Sequence, residues 1–324
     1  IMSATQGKTL LYDQLTSRLK DHRGFRDLLG RLRSGTLPVS VRGAKAGFIG
    51  YVLTRLYRSA QQPIFIIVPN ESEVHGVQTD LRLFGIDSVV FPSWGTSAYA
   101  DPNETTAVWG ERMRGLVELY RGTSGVVIAP LRAISHHLPP PGFLDDGIVL
   151  LETGATIDPQ EIAEQLVEMG YWRVPRVSVH GEFALRGEVL DMFLPGAEEA
   201  TRVVFDFDEI SEIKFFDPDS QVSTRTVKSV EVYPMREVLW TEKSIDELRT
   251  RAASWPEIRP RTDDLAEFDA SDGGFPAPYW AAALSEGYTI LDYLHRTTGI
   301  VWLDRQRLTA ASESFRKEYE TVFA

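Results

Sequence analysis

The residues with the clearest potential for chemistry are two glycines and a lysine in the loop Arg42–Gly47. The loop follows a β-branched run, Leu37–Val41, that predicts a strand, and it precedes an apolar pattern that predicts a helix. In nucleotide-binding proteins a phosphate-binding loop connects a strand and a helix in this way. The lysine of its Gly-Lys-Ser/Thr end contacts the phosphates, and the Ser/Thr hydroxyl binds magnesium. Here Gly43, Lys45 and Gly47 remain, but Phe48 follows directly and no Gly-Lys-Ser/Thr is present. The sequence predicts a degenerate nucleotide loop.

Asp304 is the second residue with a place in nucleotide chemistry. It follows the apolar run Gly299–Leu303, where the acid of a Walker B motif would lie, but Arg305 takes the place of a second acid. Asp304 is therefore predicted to be a degenerate Walker B residue, although an aspartate there can also cap the next helix. The six histidines are scattered, so we predict no catalytic residue and no metal site.

The stretch Gly181–Phe193 and the following run Arg202–Phe207 carry a different kind of signal. Alternation along one strand would place Arg186 on the face with Leu190, and Asp191 on the opposite face, unless a bulge at a glycine shifts the register. Two arginines near an exposed aromatic are typical of a protein-binding hot spot. The alternative is that Arg186 only pairs with Glu182 or Glu188 on the sheet surface. From the pattern alone, both remain open.

The surrounding elements predict two kinds of sheet. Non-alternating strands at Ile64–Val68, Ser88–Phe91 and Gly125–Ala129, separated by helices, indicate a covered parallel sheet. After the Pro139–Gly142 break, a helix begins at Asp158-Pro159, as an N-cap and first-turn proline would require. Alternating strands of an antiparallel α+β insert follow it: Arg173–Val179, Phe183–Phe193, Thr201–Phe207, Glu212–Phe216 and Thr224–Val232. Then come helices at Ile245–Ala253 and Trp280–Leu284, and a strand, Gly299–Leu303, that could rejoin the first sheet.

Composition excludes several classes of protein. The chain has 324 residues, 43% of them hydrophobic, and no cysteine, so it can bury a large core and forms no disulfide. We expect a cytoplasmic protein without membrane contact, because no apolar run approaches the roughly 20 residues of a membrane span.

The net charge is −12, yet residues 1–62 hold eleven lysines and arginines against three acids. Either these basic helices pack on acidic neighbours, or they contact DNA weakly.

The blocks Gly170–Val174, Gly181–Phe193 and Arg202–Ile210 resemble the N-terminal region of bacterial transcription-repair coupling factors (Mfd), a family similar to the excinuclease protein UvrB. Weaker similarity includes Val126–Arg132 and Thr289–Tyr293. The resemblance implies a degenerate RecA- or helicase-like parallel-sheet domain interrupted by an α+β antiparallel insert. The parallel-sheet domain would comprise residues 1–144 and would be completed by the returning residues 236–324. The insert at 145–235 would bind the excinuclease protein UvrA.

The resemblance also implies roles for individual residues. Arg186 and Arg202 correspond to the family's arginines that bind UvrA. The family has two adjacent phenylalanines where this chain has Phe205-Asp206, so Phe205, Asp206 and Phe207 are the candidates for the aromatic contact. This segment would recruit UvrA to stalled RNA polymerase without a cofactor of its own. In the full-length family protein, a C-terminal translocase uses ATP and magnesium on double-stranded DNA. The alternatives are a divergent ATP-dependent helicase and a UvrB-like protein that binds damaged DNA.

Overall fold

The computed structural model describes residues 2–45, 47–93, 106–122, 125–237, 242–253 and 287–323. Its helices are α1 (Met2–Leu19), α2 (Arg23–Arg33), α3 (Gly47–Ala60), α4 (Glu71–Leu83), α5 (Thr106–Arg121), α6 (Phe143–Gly147), α7 (Pro159–Glu168), α8 (Glu242–Ala253) and α9 (Arg305–Phe323). Its strands are β1 (Ile64–Val68), β2 (Val89–Val90), β3 (Val126–Pro130), β4 (Val149–Glu152), β5 (Trp172–Arg173), β6 (Glu182–Arg186), β7 (Val189–Met192), β8 (Ala200–Asp206), β9 (Glu209–Phe216), β10 (Ser223–Val227), β11 (Ser229–Val232) and β12 (Gly299–Trp302). The helix predicted at Trp280–Leu284 lies outside the described residues.

The chain divides into two compact units, each assembled from separate stretches of sequence. The first unit comprises Ile1–Phe91, Glu118–Ile134 and Leu294–Lys317. The second comprises Pro92–Val117, Ser135–Tyr293 and Glu318–Ala324. The domain boundaries expected from the family resemblance, at 144/145 and 235/236, stay a prediction.

The first unit is built on a four-stranded parallel sheet in the order β12-β1-β3-β2. β1 and β3 are continuous apolar runs whose residues are all buried, as expected for parallel strands covered on both faces. β12 pairs with β1 in parallel, with Gly299 opposite Ile64. This pairing confirms the prediction that the late strand rejoins the first sheet. The apolar faces of α3 and α4 cover the sheet through Leu53 and Leu81.

α3 and α4 cross at very short range because of one glycine. A Cβ atom on Gly50 would lie 2.6 Å from the backbone of Asp80. That separation is far inside van der Waals contact, so only a residue without a side chain permits this crossing. Gly50 therefore sets how closely these two helices pack.

The strand predicted at Leu37–Val41 is wrong, because this segment forms neither a strand nor a helix. Leu37 is 66% exposed and Val41 is 47% exposed, so burial does not favour a strand here. Pro38 also lacks the backbone N–H that a ladder needs. As a consequence, the loop Arg42–Gly47 follows a segment without regular secondary structure instead of a strand of the parallel sheet.

The second unit contains a six-stranded sheet in the order β10-β9-β8-β7-β6-β5, which is antiparallel except for the β5–β6 pair. One face of this sheet packs on α7 and on the two-stranded β11–β4 sheet, and Phe183, Leu190, Val203 and Ile213 lie in that core. α7 begins as predicted, because the Asp158 side chain accepts a hydrogen bond from the backbone N–H of Gln160 at 2.7 Å. The mixed α/β class with one parallel and one antiparallel sheet is therefore confirmed.

Three of the predicted strands in the insert differ from the structure. The run predicted at Arg173–Val179 is a strand only at Trp172–Arg173, because the residues after it form a loop. Phe183–Phe193 is a hairpin of β6 and β7 and not one strand. Thr224–Val232 breaks at Lys228 into β10 and β11, which belong to different sheets. Within the described ranges, no helix is long and apolar enough to cross a membrane.

Candidate protein-binding face

The β6–β7 hairpin decides which side chains share a face of the six-stranded sheet. Arg186 pairs directly with Val189 across a two-residue turn, and Gly187 takes the positive φ of 60° that such a turn requires. Residues paired across two antiparallel strands lie on the same face, so Arg186 shares a face with Val189 and Asp191. The expectation that Arg186 and Asp191 point to opposite faces is wrong, because it assumed one continuous strand.

Asp191 links the two arginines on this face. Arg202 lies opposite Asp191 on β8, and its Nε and one Nη donate to the two carboxylate oxygens of Asp191 at 2.6 and 2.9 Å. Arg186 donates to the same carboxylate at 2.8 Å. The Asp191 side chain is 1% exposed, so one buried anion holds both guanidinium groups. The strand alternation used to predict this region did not reveal Asp191, although Gly187 between two alternating runs is a recognised hairpin signal.

Arg202 is fixed from several sides. Its guanidinium carbon lies 4.5 Å from the centre of the Phe216 ring, and one Nη donates to Oε1 of Gln221 at 3.4 Å. The hydrogen bonds to Asp191 raise the pKa of the Arg202 guanidinium further above its ordinary value. The side chain remains 22% exposed. Arg202 is therefore a charged group held in one orientation with part of its surface open to solvent.

Arg186 is the accessible member of the pair. Its side chain is 53% exposed, and one hydrogen bond to Asp191 is its contact within the described part of the chain. An arginine has five N–H donors, so most of those on Arg186 are available. The alternative pairing with Glu182 is not found, because that carboxylate accepts hydrogen bonds from the backbone N–H groups of Ser178 and Val179 at 2.8 and 2.9 Å.

A rigid turn borders the arginines. Gln221 has a positive φ of 63° and donates to the carbonyl oxygen of Pro218 at 2.8 Å. Asp217 accepts from the backbone N–H and the hydroxyl of Ser220 at 2.7 and 2.9 Å, and these bonds lower the pKa of the Asp217 carboxyl. The turn thereby presents the Gln221 side chain to Arg202 in a fixed position.

The three candidates for the aromatic contact lie in different environments. Phe205 is 2% exposed and packs in the core beneath the sheet, while Asp206 is exposed at the end of β8. Phe207 is 80% exposed in the β8–β9 turn, with a positive φ of 56° that is unusual for a bulky residue. β6 and β8 run in the same direction, so this turn lies at the same end of the sheet as Arg186. Phe207 is the exposed aromatic residue among the three.

The residues of the predicted nucleotide loops belong to the first unit. Gly43 has a positive φ of 87°, Lys45 is exposed, and α3 begins at Gly47. The Asp80 carboxylate lies 3.7 Å from the position of a Cβ on Gly47, so an anion already lies near this helix end. Asp304 is exposed and accepts a hydrogen bond from the backbone N–H of Arg307 at 3.2 Å. That bond gives Asp304 a role in capping α9.

Comparisons with known proteins define the class of the second unit. Residues 149–237 match the family described as the UvrB interaction domain. This range contains the β6–β9 strands and both arginines of the candidate face.

Similarity to individual proteins extends over more of the chain. It is 30% identical over 260 residues to the transcription-repair-coupling factor of Myxococcus xanthus, covering 78% of this chain and 21% of that protein. It is 24% identical over 244 residues to the factor of Borreliella burgdorferi, covering 75% and 22%, and 26% identical over 327 residues to a Staphylococcus aureus factor, covering 96% and 28%. The chain thus carries a UvrB interaction domain and is a relative of the transcription-repair-coupling factors, as its motifs predicted. It spans between a fifth and three tenths of the length of these relatives.

Proposed function

We propose that the face formed by β6, β7 and β8 binds UvrA, and that this chain is the recruiting module of a transcription-repair coupling factor. The observation that carries the proposal is the pair Arg186 and Arg202, held on one face by the buried carboxylate of Asp191. Two cations share one anion, so the cluster keeps a net positive charge. Such a cluster suits an acidic surface on the partner.

The fixed geometry favours binding over surface decoration. Arginine is common at interface hot spots because its planar fork makes directional paired hydrogen bonds. Arg202 is already oriented by Asp191, Gln221 and Phe216, so it loses little conformational freedom when a partner binds. Phe207, exposed at the same end of the sheet, supplies an apolar contact beside Arg186.

Calorimetric titration of purified UvrA into the 324-residue chain tests this proposal. Arg186→Ala and Arg202→Ala are each expected to weaken binding by at least about 2 kcal/mol, or roughly 30-fold. Arg225→Ala is the matched control, because Arg225 is 62% exposed and ion-paired with Glu199. The register places Arg225 opposite Phe215, on the other face of the same sheet. Unchanged affinity of both Arg186→Ala and Arg202→Ala for UvrA would refute the proposal that this face binds UvrA.

We further propose that this segment has no ATPase activity. The supporting observations are the absence of a strand at Leu37–Val41 before Gly43, the Asp80 carboxylate beside Gly47 and the capping role of Asp304. The competing functions are a divergent ATP-dependent helicase and a UvrB-like protein that binds damaged DNA. Titration with a fluorescent ATP analogue and magnesium separates them, since micromolar affinity would contradict a degenerate site. Contacts with RNA polymerase and ATP-driven movement on double-stranded DNA are proposed for the remainder of a full-length protein.

A further inference from the structure

The first unit carries a strongly basic surface that the proposed function does not use. It consists of eight cationic side chains within 28 residues, all exposed and with only Asp21 and Asp27 as acids between them: Arg18, Lys20, Arg23, Arg26, Arg31, Arg33, Arg42 and Lys45. We call this set the basic surface. Its positive charge stands out because the chain as a whole has a net charge of −12.

Two of these cations, Arg31 and Arg42, line one cavity, to which Asp27 also contributes. A cavity of about 510 Å³ lies between α2, the segment before α3 and the first turn of α3. Arg31 of α2 and Arg42 of the loop both line it, together with His22 from the α1–α2 turn. Residues eleven positions apart in sequence therefore face the same concave surface. Six of the eight cations are arginines, whose planar guanidinium matches a phosphate group.

The fold itself leaves most of these charges unused. Arg23 makes a long contact of 3.8 Å with Asp27, and both side chains are largely exposed. For the other seven cations, the described part of the chain contains no hydrogen bond or ion pair from the side chain. Arginines elsewhere in this unit differ, because Arg58 donates to the carbonyl of Phe84 and Arg307 pairs with Glu73. Cations that lie close together repel one another. Because the fold does not neutralise this repulsion, binding of an external polyanion would lower the electrostatic free energy of the basic surface.

We propose that the basic surface binds the phosphate backbone of duplex DNA without reading its sequence. A membrane surface is a less suitable ligand than duplex DNA, because the apolar side of α2 already packs against the fold. Leu28 is buried, and the Phe25 ring lies 5.6 Å from the Tyr51 ring. An amphipathic helix that binds lipid needs this side free. Along one strand of a duplex the charges lie about 3.4 Å apart, so α2, with eleven residues and a length of about 16 Å, spans about five phosphates of that strand. We therefore expect the basic surface to engage roughly four phosphates.

Fluorescence anisotropy of a labelled 30-base-pair duplex of arbitrary sequence, titrated with the 324-residue chain, measures this contact. With roughly four phosphates engaged, the logarithm of the affinity should fall with the logarithm of salt concentration at a slope of about −3.6. Between 50 and 200 mM KCl that slope corresponds to a loss of about 150-fold. Two duplexes of unrelated sequence should bind equally well.

The decisive variant is Arg31→Gln/Arg42→Gln, which should halve the slope to about −1.8. Arg173→Gln/Lys228→Gln is the matched control, because it removes two exposed cations from the second unit and should leave the slope unchanged. If the first variant does not fold, as judged by circular dichroism, Arg23→Gln/Arg33→Gln on α2 replaces it with the same expected slope.

Several results would overturn the proposal. The first is no binding to the duplex at 50 mM KCl. The second is an equal decrease of the salt slope in the control variant. The third is that the chain binds vesicles containing phosphatidylglycerol but does not bind duplex DNA. UvrA affinity provides an independent readout, since the Arg31/Arg42 variant should bind UvrA like the parent chain. Failure here and failure of the UvrA proposal are therefore distinguishable.

Discussion

Replacing Arg202 should destabilise the β7–β8 region far more than replacing Arg186, although both contact Asp191. Arg202→Ala removes two hydrogen bonds to a buried carboxylate, each worth about 1.5–3 kcal/mol when a charged group takes part. It also removes the stacking on Phe216, worth about 0.5–1 kcal/mol. The Asp191 carboxylate is left with a single donor from Arg186.

Breaking a buried ion pair typically costs about 3–5 kcal/mol. Arg186 remains as a partial counter-ion and Arg202 is 22% exposed, so we expect the lower end of that range, about 3 kcal/mol. Arg186→Ala removes one hydrogen bond from a side chain that is 53% exposed. Surface pairs of that kind contribute about 0–1 kcal/mol. The two substitutions should therefore differ by about 2 kcal/mol, or roughly 30-fold in the local opening equilibrium.

Amide hydrogen exchange followed by mass spectrometry measures this difference in the full chain. It reports local opening free energies, which suits a chain with two compact units, where a single global unfolding value is not well defined. Peptides covering β7 and β8 give the result, and peptides from β1 serve as the internal control. Arg202→Lys should recover only part of the loss, because an ammonium cannot form the paired contact with Asp191. Equal loss of protection in Arg186→Ala and Arg202→Ala would refute the proposed arrangement.

Three further predictions concern other parts of the fold. Gly50→Ala should destabilise the α3–α4 pair by about 1–3 kcal/mol through overpacking against Asp80. Gly30→Ala, with no atom within 4 Å of the new Cβ, should stabilise α2 by about 0.4–1 kcal/mol. Amide hydrogen exchange in peptides from α2, α3 and α4 compares the two variants. Asp158→Ala should cost about 1 kcal/mol by removing the α7 cap, seen as faster exchange in residues 159–168. Burial raises the pKa of the Tyr171 hydroxyl, so its contribution to stability is full below the unfolded pKa of about 10 and is lost as pH rises above it. Tyr171→Phe should reduce that alkaline loss in a pH series of urea titrations that follow the unfolding transition of the second unit, and an unchanged pH profile would contradict the assignment.

Sequence patterns predicted those parts of the fold that depend on local rules. Asp158-Pro159 carried both signals of a helix start. The apolar runs at Ile64–Val68 and Gly125–Ala129 indicated covered parallel strands, which the structure has at Ile64–Val68 and Val126–Pro130. The strand predicted at Leu37–Val41 failed because β-branched residues favour a strand only when a neighbouring strand and a buried face are available. Leu37 and Val41 have no such surroundings.

The candidate face shows a different limit of sequence reasoning. A two-residue turn pairs residue 186 with residue 189, which exchanges the odd and even positions between β6 and β7. Alternation counted through the turn is therefore inverted on its far side, and an undetected hairpin assigns every side chain of β7 to the wrong face. The residue types of Arg186 and Arg202 were readable from sequence, but their shared counter-ion was not, because Asp191 reaches both only after this inversion.

The shared counter-ion also explains why two arginines leave a positive charge on this face of the sheet. If Arg186 paired with Glu188 and Arg202 with Asp191, each cation would be neutralised by its own acid, and little charge would face a partner. With both guanidinium groups on the single buried carboxylate, the anion is hidden beneath them and the outward surface stays positive. Asp191 thus orients both cations, while its own negative charge is buried. A strand residue that is 1% exposed can in this way determine the charge that the protein presents at its surface.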